Sequence, residues 1–344
     1  MSDSKKCCGH NQTPAQKVIR IIQGASITQM IHVAAKLGIA DLLKDGAKSC
    51  DELAKATGTH SQSLYRLLRG LASIGIFSET KERYFELTPE AACLKTDAPD
   101  SVRTFAVWTG DEVNWLPWGE LLYSVQTGKT AFKHVFGTEI FEYFGKNPQA
   151  GEAFNHFMTE RMQAMVNAVA TAYDFSKAKT IADIGGGQGR LLATILSANP
   201  ALKGVLFDLP AVTKEAKTVI ENAGLSGRCG FAAGSFFESI SVTADIYILS
   251  SIIHDWDDKD SITILKNCRK CMPANSKLLL IETMIPPGNE PALGKLTDLN
   301  MLVLTSGMER TKDEFEQLFK ETGFKLTNII PTPSPLNIIE AEPV

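Results

Sequence analysis

Residues 180–196 read TIADIGGGQGRLLATIL, an apolar run, a cluster of glycines and an amphipathic run with no gap between them. That is the order strand, tight turn, helix. Gly185, Gly186, Gly187 and Gly189 remove the side chains that would keep a ligand from the backbone, and they permit positive φ where the chain reverses. The free amides at the helix start favour a negatively charged ligand group. Spacing narrows the choice of ligand. A dinucleotide fingerprint needs G-x-G-x-x-G, and Gly185 and Gly187 followed by Arg190 fail at the third glycine, whereas G-x-G-x-G preceded by an acid, here Asp183, fits. A nicotinamide cofactor, and an oxidoreductase with it, becomes the weaker reading. About twenty residues on, the next apolar run ends in Asp208-Leu209-Pro210, which sets a carboxylate at a strand tip where a ribose diol can bind it.

Beyond this loop, apolar runs at 204–207, 229–232, 245–249, 277–281, 324–330 and 336–340 alternate with helical spacings, the pattern of a doubly wound sheet. Binding sites in such sheets lie outside the carboxyl ends of the strands. Asp183, Asp208, the turn Gly234-Ser235-Phe236, His254 and Glu282 all fall at those ends.

Five segments in this order, ADIGGGQG (182–189), FDLP (207–210), IIHDWDD (252–258), LLLIETMIP (278–286) and ERTKDEF (309–315), carry a resemblance. The chain resembles the S-adenosylmethionine-dependent small-molecule O-methyltransferases typified by plant caffeate and bacterial antibiotic-tailoring enzymes, over residues 15–340. The resemblance implies a class I methyltransferase fold, a doubly wound Rossmann-like α/β sheet, with an N-terminal, mostly helical winged-helix domain that forms a homodimer. It implies S-adenosyl-L-methionine as cofactor, held by Asp183, Gly185, Gly187, Asp208, Leu209, Ser235, Phe236, Ser250 and Trp256. It places His254 as general base with Glu282 and Glu309 flanking the imidazole, and Asn155 and Met158 of FNHFM (154–158), with Trp108, against the acceptor. Two positions depart from the family. Where many relatives carry G-D-(M/F)-F this chain has Gly234-Ser235-Phe236-Phe237, and Ser250 stands where plant relatives have a lysine. Adenine is then left to Ser235, to backbone, or to packing against Phe236 and Trp256.

The chemistry needs such a base. Methyl transfer from a sulfonium requires an available lone pair in line with the carbon–sulfur bond, and a phenol of pKa near 10 presents almost none at neutral pH. A histidine of pKa about 6.5 can take the proton as the oxygen attacks, provided its other nitrogen is held. A neighbouring carboxylate fixes the tautomer and stabilises the imidazolium. An N- or C-methyltransferase of the same fold, metal-assisted or not, is the alternative. His254, Asp255 and Glu282 are conceivable metal ligands, but His254 and Asp255 are adjacent, and no metal is expected.

With 344 residues, 44% apolar and 22% charged, the chain is too long for one compact core, so two domains are expected, 1–100 and 101–344, the second opening with a helical linker to about 175. No apolar stretch reaches the roughly 18 residues of a membrane span and the polar first residues lack the centre of a signal peptide, which gives a cytoplasmic expectation. Seven scattered cysteines read as reduced thiols. Cys7, Cys8 and His10 lack a partner pair at zinc spacing, and Cys268 and Cys271 fall on one helical stretch.

Apolar residues at 15–37 and 37–43, then 49–57 and 61–74, predict helices, and 77–87 alternates around a charged tip as a hairpin would. Helix, helix, hairpin is the order of a winged helix, which raises a DNA-binding regulator as a second class of function. Charge decides against it. Residues 46–90 carry Lys48, Lys55, Arg66, Arg69, Lys81 and Arg83 against Asp51, Glu52, Glu79, Glu82, Glu86 and Glu90, a net charge of zero where a DNA reader needs a basic face. Residues 102–174 are rich in aromatics and methionine, among them Trp108, Trp115, Trp118, Phe154 and Met158. They are expected to supply core and, between the domains, the walls of an apolar pocket.

Overall fold

The computed structural model describes residues 13–344, apart from the side chains of 159–164; Cys7, Cys8 and His10 lie outside the described residues. The chain divides into two compact units, one of Met1–Trp115 with Glu152–Phe157, the other of Leu116–Gly151 with Met158–Val344. The first therefore runs past residue 100, because the helix Arg103–Gly110 joins the N-terminal core: the His32 ring Nδ1 meets the Val107 carbonyl at 2.9 Å, and the Gln29 amide donates to the Gly110 carbonyl at 3.1 Å.

In the first unit the apolar stretch 15–37 forms two helices, Pro14–Ile22 and Gly24–Lys36, with the break at Gln23. Gly24, a poor helix former, stands at the break, and a Thr13–Gln16 capping box starts the first helix. By length and composition Pro14–Lys36 would suffice to cross a membrane, with a mean hydropathy of 1.2, a property the sequence reading missed. The second helix, however, buries His32, Ala34 and Ala35 within the unit. The first buries nothing and leaves Val18, Ile19, Ile21 and Ile22 exposed. Helices Cys50–Thr57 and Ser61–Ser73 follow, then strands β2 (Phe77–Lys81) and β3 (Tyr84–Leu87). A short strand β1 (Lys48–Ser49) pairs with β3 and completes a three-stranded sheet, the wing of a winged helix. Leu53, Leu64, Leu68, Leu71, Phe77 and Phe85 close its core.

The second unit is built on strands β4 (Thr180–Ile184), β5 (Lys203–Asp208), β6 (Cys229–Ala233), β7 (Ile246–Ser250), β8 (Lys277–Ile285), β9 (Arg310–Thr311), β10 (Phe324–Pro331) and β11 (Leu336–Pro343). Their order is β10-β11-β8-β7-β4-β5-β6, with β9 added to β8. From β8 to β6 the pairing is parallel, whereas β11 runs antiparallel between β8 and β10. Successive residues of one strand feed opposite cores: Ile248, Leu279, Ile281 and Ile338 one face, Tyr247, Leu249, Leu280 and Ile339 the other. Apolar side chains on both faces are what a sheet covered by helices on both sides requires. Because β5 and β6 extend one way from β4 while β7 and β8 extend the other, the strand order reverses between β4 and β7. A crevice opens at such a switch point.

Candidate active site

The glycine loop leaves β4 at that reversal. Gly185, Gly187 and Gly189 all take positive φ, and Gly189 caps the helix Arg190–Ala198 in the left-handed conformation. A Cβ on Gly185 would stand 2.6 Å from the Ile252 side chain and 3.4 Å from the Phe236 ring, so the loop lies directly against the residues after β7 and β6. Over Gly187 there is open space, with nothing within 4 Å of a built Cβ. At the tip of β5 the Asp208 carboxylate accepts the Gly187 amide at 2.8 Å through Oδ2 and the Leu209 amide at 2.7 Å through Oδ1. Each carboxylate oxygen keeps a further acceptor site, which suits a diol. Asp183 lies beneath the loop, 2% exposed. Burial, and then the neighbouring charge of Asp208, pushes its pKa up to about 7.

After β6, Asn267 donates to the carbonyls of Phe236 and Phe237 at 2.9 and 3.0 Å, and the Ser235 hydroxyl accepts the Phe237 amide at 3.2 Å. Trp256 meets Phe237 edge-on at 4.8 Å between ring centroids and Phe236 at 6.3 Å. These aromatic faces, the bare loop and the Asp208 acceptors form one cradle. A planar base, a diol and a chain running past the glycines match it.

His254 sits on a short 3-10 turn, Ile253–Asp255, after β7. Ser250 ends β7 opposite Ile281 of β8, and Ser251 follows with φ 54°, a left-handed conformation that non-glycine residues adopt at a cost. The next residue of β8 is Glu282, 0% exposed. Its Oε1 accepts the amides of Ile252 at 3.0 Å and Ile253 at 2.8 Å, and its Oε2 stands 3.2 Å from His254 Nδ1. Glu309, immediately before β9, brings Oε1 to 3.5 Å from the same nitrogen; its amide donates to Asp298 at 2.9 Å. Asp255 Oδ1 lies 3.6 Å from Nε2. The three residues placed together by resemblance, His254, Glu282 and Glu309, are thus together in space.

Electrostatics correct the ordinary imidazole assumed from sequence. Burial alone would lower the pKa of His254, but the charge of Glu282, the close contact with Glu309 and the charge of Asp255 outweigh it and raise the value to about 10. At 3.2 and 3.5 Å neither Nδ1 contact is aligned as a hydrogen bond. Burial raises Glu282 to about 7 against the opposing pull of His254, and Asp255 is raised for the same reason. The ring nitrogen and one oxygen from each glutamate lie within 4.8 Å of one another, so the cluster is also metal-sized. It uses Glu309 in place of the Asp255 considered from sequence.

The three residues expected against the acceptor are placed less uniformly. Trp108 is buried in the first unit, 5.2 Å from Phe154 and 5.9 Å from Phe157 between ring centroids. Asn155 is exposed in the same unit, and Met158, one helical turn on in Pro148–Ala172, is half-buried in the second. Sequence reasoning missed Ser251, Asp298 and the fully buried Arg310, although Arg310 stands inside a quoted motif.

Comparison with known proteins agrees with this geometry. Residues 118–325 match the family model described as the O-methyltransferase domain, and residues 19–97 the O-methyltransferase dimerisation domain. The chain is 47% identical over 327 residues, 95% of this chain and 96% of the relative, to the phenazine O-methyltransferase PhzM of Lysobacter antibioticus. It is 38% identical to the mitomycin biosynthesis 6-O-methyltransferase of Streptomyces lavendulae, with 93% and 92% covered. Among solved structures, the O-methyltransferase NcsB1 from neocarzinostatin biosynthesis, in complex with S-adenosylmethionine and 2-hydroxy-5-methyl naphthoic acid, superposes with a TM-score of 0.83 at 30% identity, over 98% of this chain and 100% of that one. With a doubly wound sheet, a glycine cradle, a histidine set between glutamates and a dimerisation module, this chain belongs to the S-adenosylmethionine-dependent O-methyltransferase family.

Proposed function

We propose that the enzyme methylates a hydroxyl on a flat, multi-ring aromatic natural product, with His254 as general base, and that it works as a homodimer through its N-terminal helices. The observation that carries this reading is the side of the imidazole that the glutamates occupy. Both approach Nδ1, and Nε2, whose carboxylate neighbour Asp255 stands off at 3.6 Å, is the nitrogen that receives the acceptor's proton. When bound, S-adenosylmethionine supplies an electrophilic methyl on a cationic sulfur. As the oxygen–carbon bond forms and the carbon–sulfur bond breaks, Nε2 takes the hydroxyl proton, and Glu282 and Glu309 stabilise the imidazolium. The carboxylates beside the ring raise its proton affinity above that of a free imidazole, which favours proton transfer from a phenol of pKa near 10.

Asp208, Leu209, Gly185, Gly187, Ser235, Phe236, Ser250 and Trp256 are proposed to hold the cofactor, Asp183 to support the loop from below, and Asn155, Met158 and Trp108 to shape the acceptor side. The acceptor class follows the relatives, which are named for phenazine and mitomycin, and the naphthoic acid bound to the structural neighbour. The dimer reading rests on the matched dimerisation domain and on a first helix that buries none of its own residues. The deciding experiment incubates the purified enzyme with S-adenosylmethionine and a panel of hydroxylated phenazines, naphthols and quinones, and follows the mass of each acceptor. A gain of one methyl on oxygen, lost in His254→Gln, is the expected result; methylation of ring nitrogen only would overturn it.

A further inference from the structure

The turn bearing His254 is held from its other side by a charged residue to which the reaction assigns no role. Arg310 pairs with Met284 of β8 through the backbone of β9, and its side chain is only 1% exposed. Nη1 donates to the Ile253 carbonyl at 2.9 Å and, more weakly, to that of Met308 at 3.4 Å. Nη2 donates to the Trp256 carbonyl at 3.0 Å and the Ser261 hydroxyl at 3.2 Å. Nε and Nη2 share Asp258 Oδ1 at 3.1 and 2.9 Å.

Ile253 and Trp256 bracket His254. Their carbonyls are tied by one guanidinium, while the amides of Ile252 and Ile253 are tied by Glu282. The carbonyl between them, that of His254, accepts the Met308 amide at 2.9 Å. This approach is open only to glycine at the preceding position: a Cβ on Gly307 would overlap the His254 carbonyl oxygen and the backbone of Asp255.

Taking a guanidinium out of water is expensive and tolerated only where its donors are met. Here a rigid fork of five donors reaches acceptors spread along one turn, a task that the point charge of lysine cannot do. We propose that Arg310 is a positioning residue for methyl transfer: with the close approach of Gly307 and Met308, it fixes the His254 turn so that the imidazole stays between Glu282 and Glu309. This rests on His254 being the base. The charged groups around the ring are Asp255 on its own turn, Glu282 from β8 and Glu309 before β9, with Asp298 behind Glu309 and Asp258 on Arg310.

The test compares wild type, Arg310→Lys, Gly307→Ala and His254→Gln as full chains. For Arg310→Lys, turnover of a hydroxyl acceptor should fall on the order of ten- to a hundredfold, the cost of a misplaced reacting group, with KM within about threefold. In the ligand-free protein, NMR titration of the His254 ring should move down toward about 6.5 as it leaves the glutamates. A filler of space would move neither readout. Folded Arg310→Lys with wild-type turnover and an unmoved titration would overturn the proposal. Gly307→Ala leaves Arg310 in place, displaces the same turn and yields the same two readouts should Arg310→Lys not fold. If His254→Gln is inactive while Arg310→Lys is normal, the positioning role alone falls. If His254→Gln keeps wild-type turnover, the base falls and the positioning role with it.

Discussion

Glu282 grips both the backbone that carries His254 and the ring itself: one oxygen accepts the amides of Ile252 and Ile253, and the other stands 3.2 Å from Nδ1. Glutamine at 282 retains a carbonyl oxygen for the two amides and loses only the charge beside the ring. Glu282→Gln should therefore fold normally yet turn over more slowly. His254→Gln should lose on the order of a hundred- to ten-thousandfold in single-turnover rate, the usual contribution of a general base, with cofactor affinity kept. Glu282→Gln and Glu309→Gln should each lose less, because they orient the base and carry no proton. Equal losses for all three would assign the proton to the cluster and not to the imidazole. Chelator should leave each rate unchanged.

The acid limb of the rate profile should lie above the ordinary histidine range. A base works only when neutral, and the carboxylates hold His254 protonated to about 10 in the ligand-free protein. kcat/KM, which reports the free enzyme, should thus rise with pH beyond about 6.5. The cationic donor repels a proton from the ring, so the limb of kcat, which reports the bound complex, should sit lower. Glu282→Gln should bring the two limbs together. A wild-type kcat/KM that is flat above pH 7 would contradict the charge arrangement.

At the loop, Gly187→Asp should abolish binding of S-adenosylmethionine and of its demethylated product. The position has φ 54° and faces open space, and its amide is committed to Asp208, so an aspartate would be strained and would set a second carboxylate beside the first. The demethylated product keeps every contact except the methyl and should bind wild type comparably. Calorimetry checks both. Retained affinity in Gly187→Asp would move the cofactor away from this loop.

Stability without ligand should fall as pH rises. Asp183 and Glu282 have folded-state pKa values raised to about 7. A raised carboxyl favours the folded state below its unfolded pKa and loses that advantage as pH climbs through the folded value. A tenfold difference in proton affinity between folded and unfolded chain corresponds to about 1.4 kcal/mol, so Asp183→Asn should raise the melting temperature at pH 8 and leave it little changed at pH 5. Scanning calorimetry at the two pH values gives the difference. An unchanged melting temperature at pH 8 would mean that Asp183 is not charged at a cost.

Light scattering should give twice the chain mass of 37.5 kDa. Ile21, 77% exposed on a helix with no buried residue, is the substitution to make. Ile21→Glu sets a charge on that apolar face and should shift the protein toward monomer at micromolar concentration. Wild type that runs as a monomer would remove the homodimer.

What the sequence made legible follows the range of each force. Local signals read well: the glycines of 185–189, the apolar strands of a two-faced sheet, and the helices at 49–57 and 61–74. The break at Gln23 was hidden by an apolar spacing that runs through it. β1 and β9, two residues each, are too short for any periodicity and exist only because longer strands accept them. The antiparallel β11 between β8 and β10 leaves no mark in its own residues. Resemblance brought His254, Glu282 and Glu309 together, but the raised imidazole depends on three carboxylates from separate places in the chain. Arg310 stood in a quoted motif with no role assigned to it, and three of its acceptors are backbone carbonyls, which no residue type announces.

His254 and Glu282 hang from β7 and β8, adjacent parallel strands paired up to Ser250 and Ile281. They cannot part unless that ladder opens. Fraying at the rim of a protein lets water exchange with exposed amides, whereas the middle of a sheet opens only with larger cooperative units. The amides of Ile252 and Ile253, closed by a buried carboxylate, share that protection. Slow deuterium uptake at these two amides would then measure how firmly the His254 turn is set.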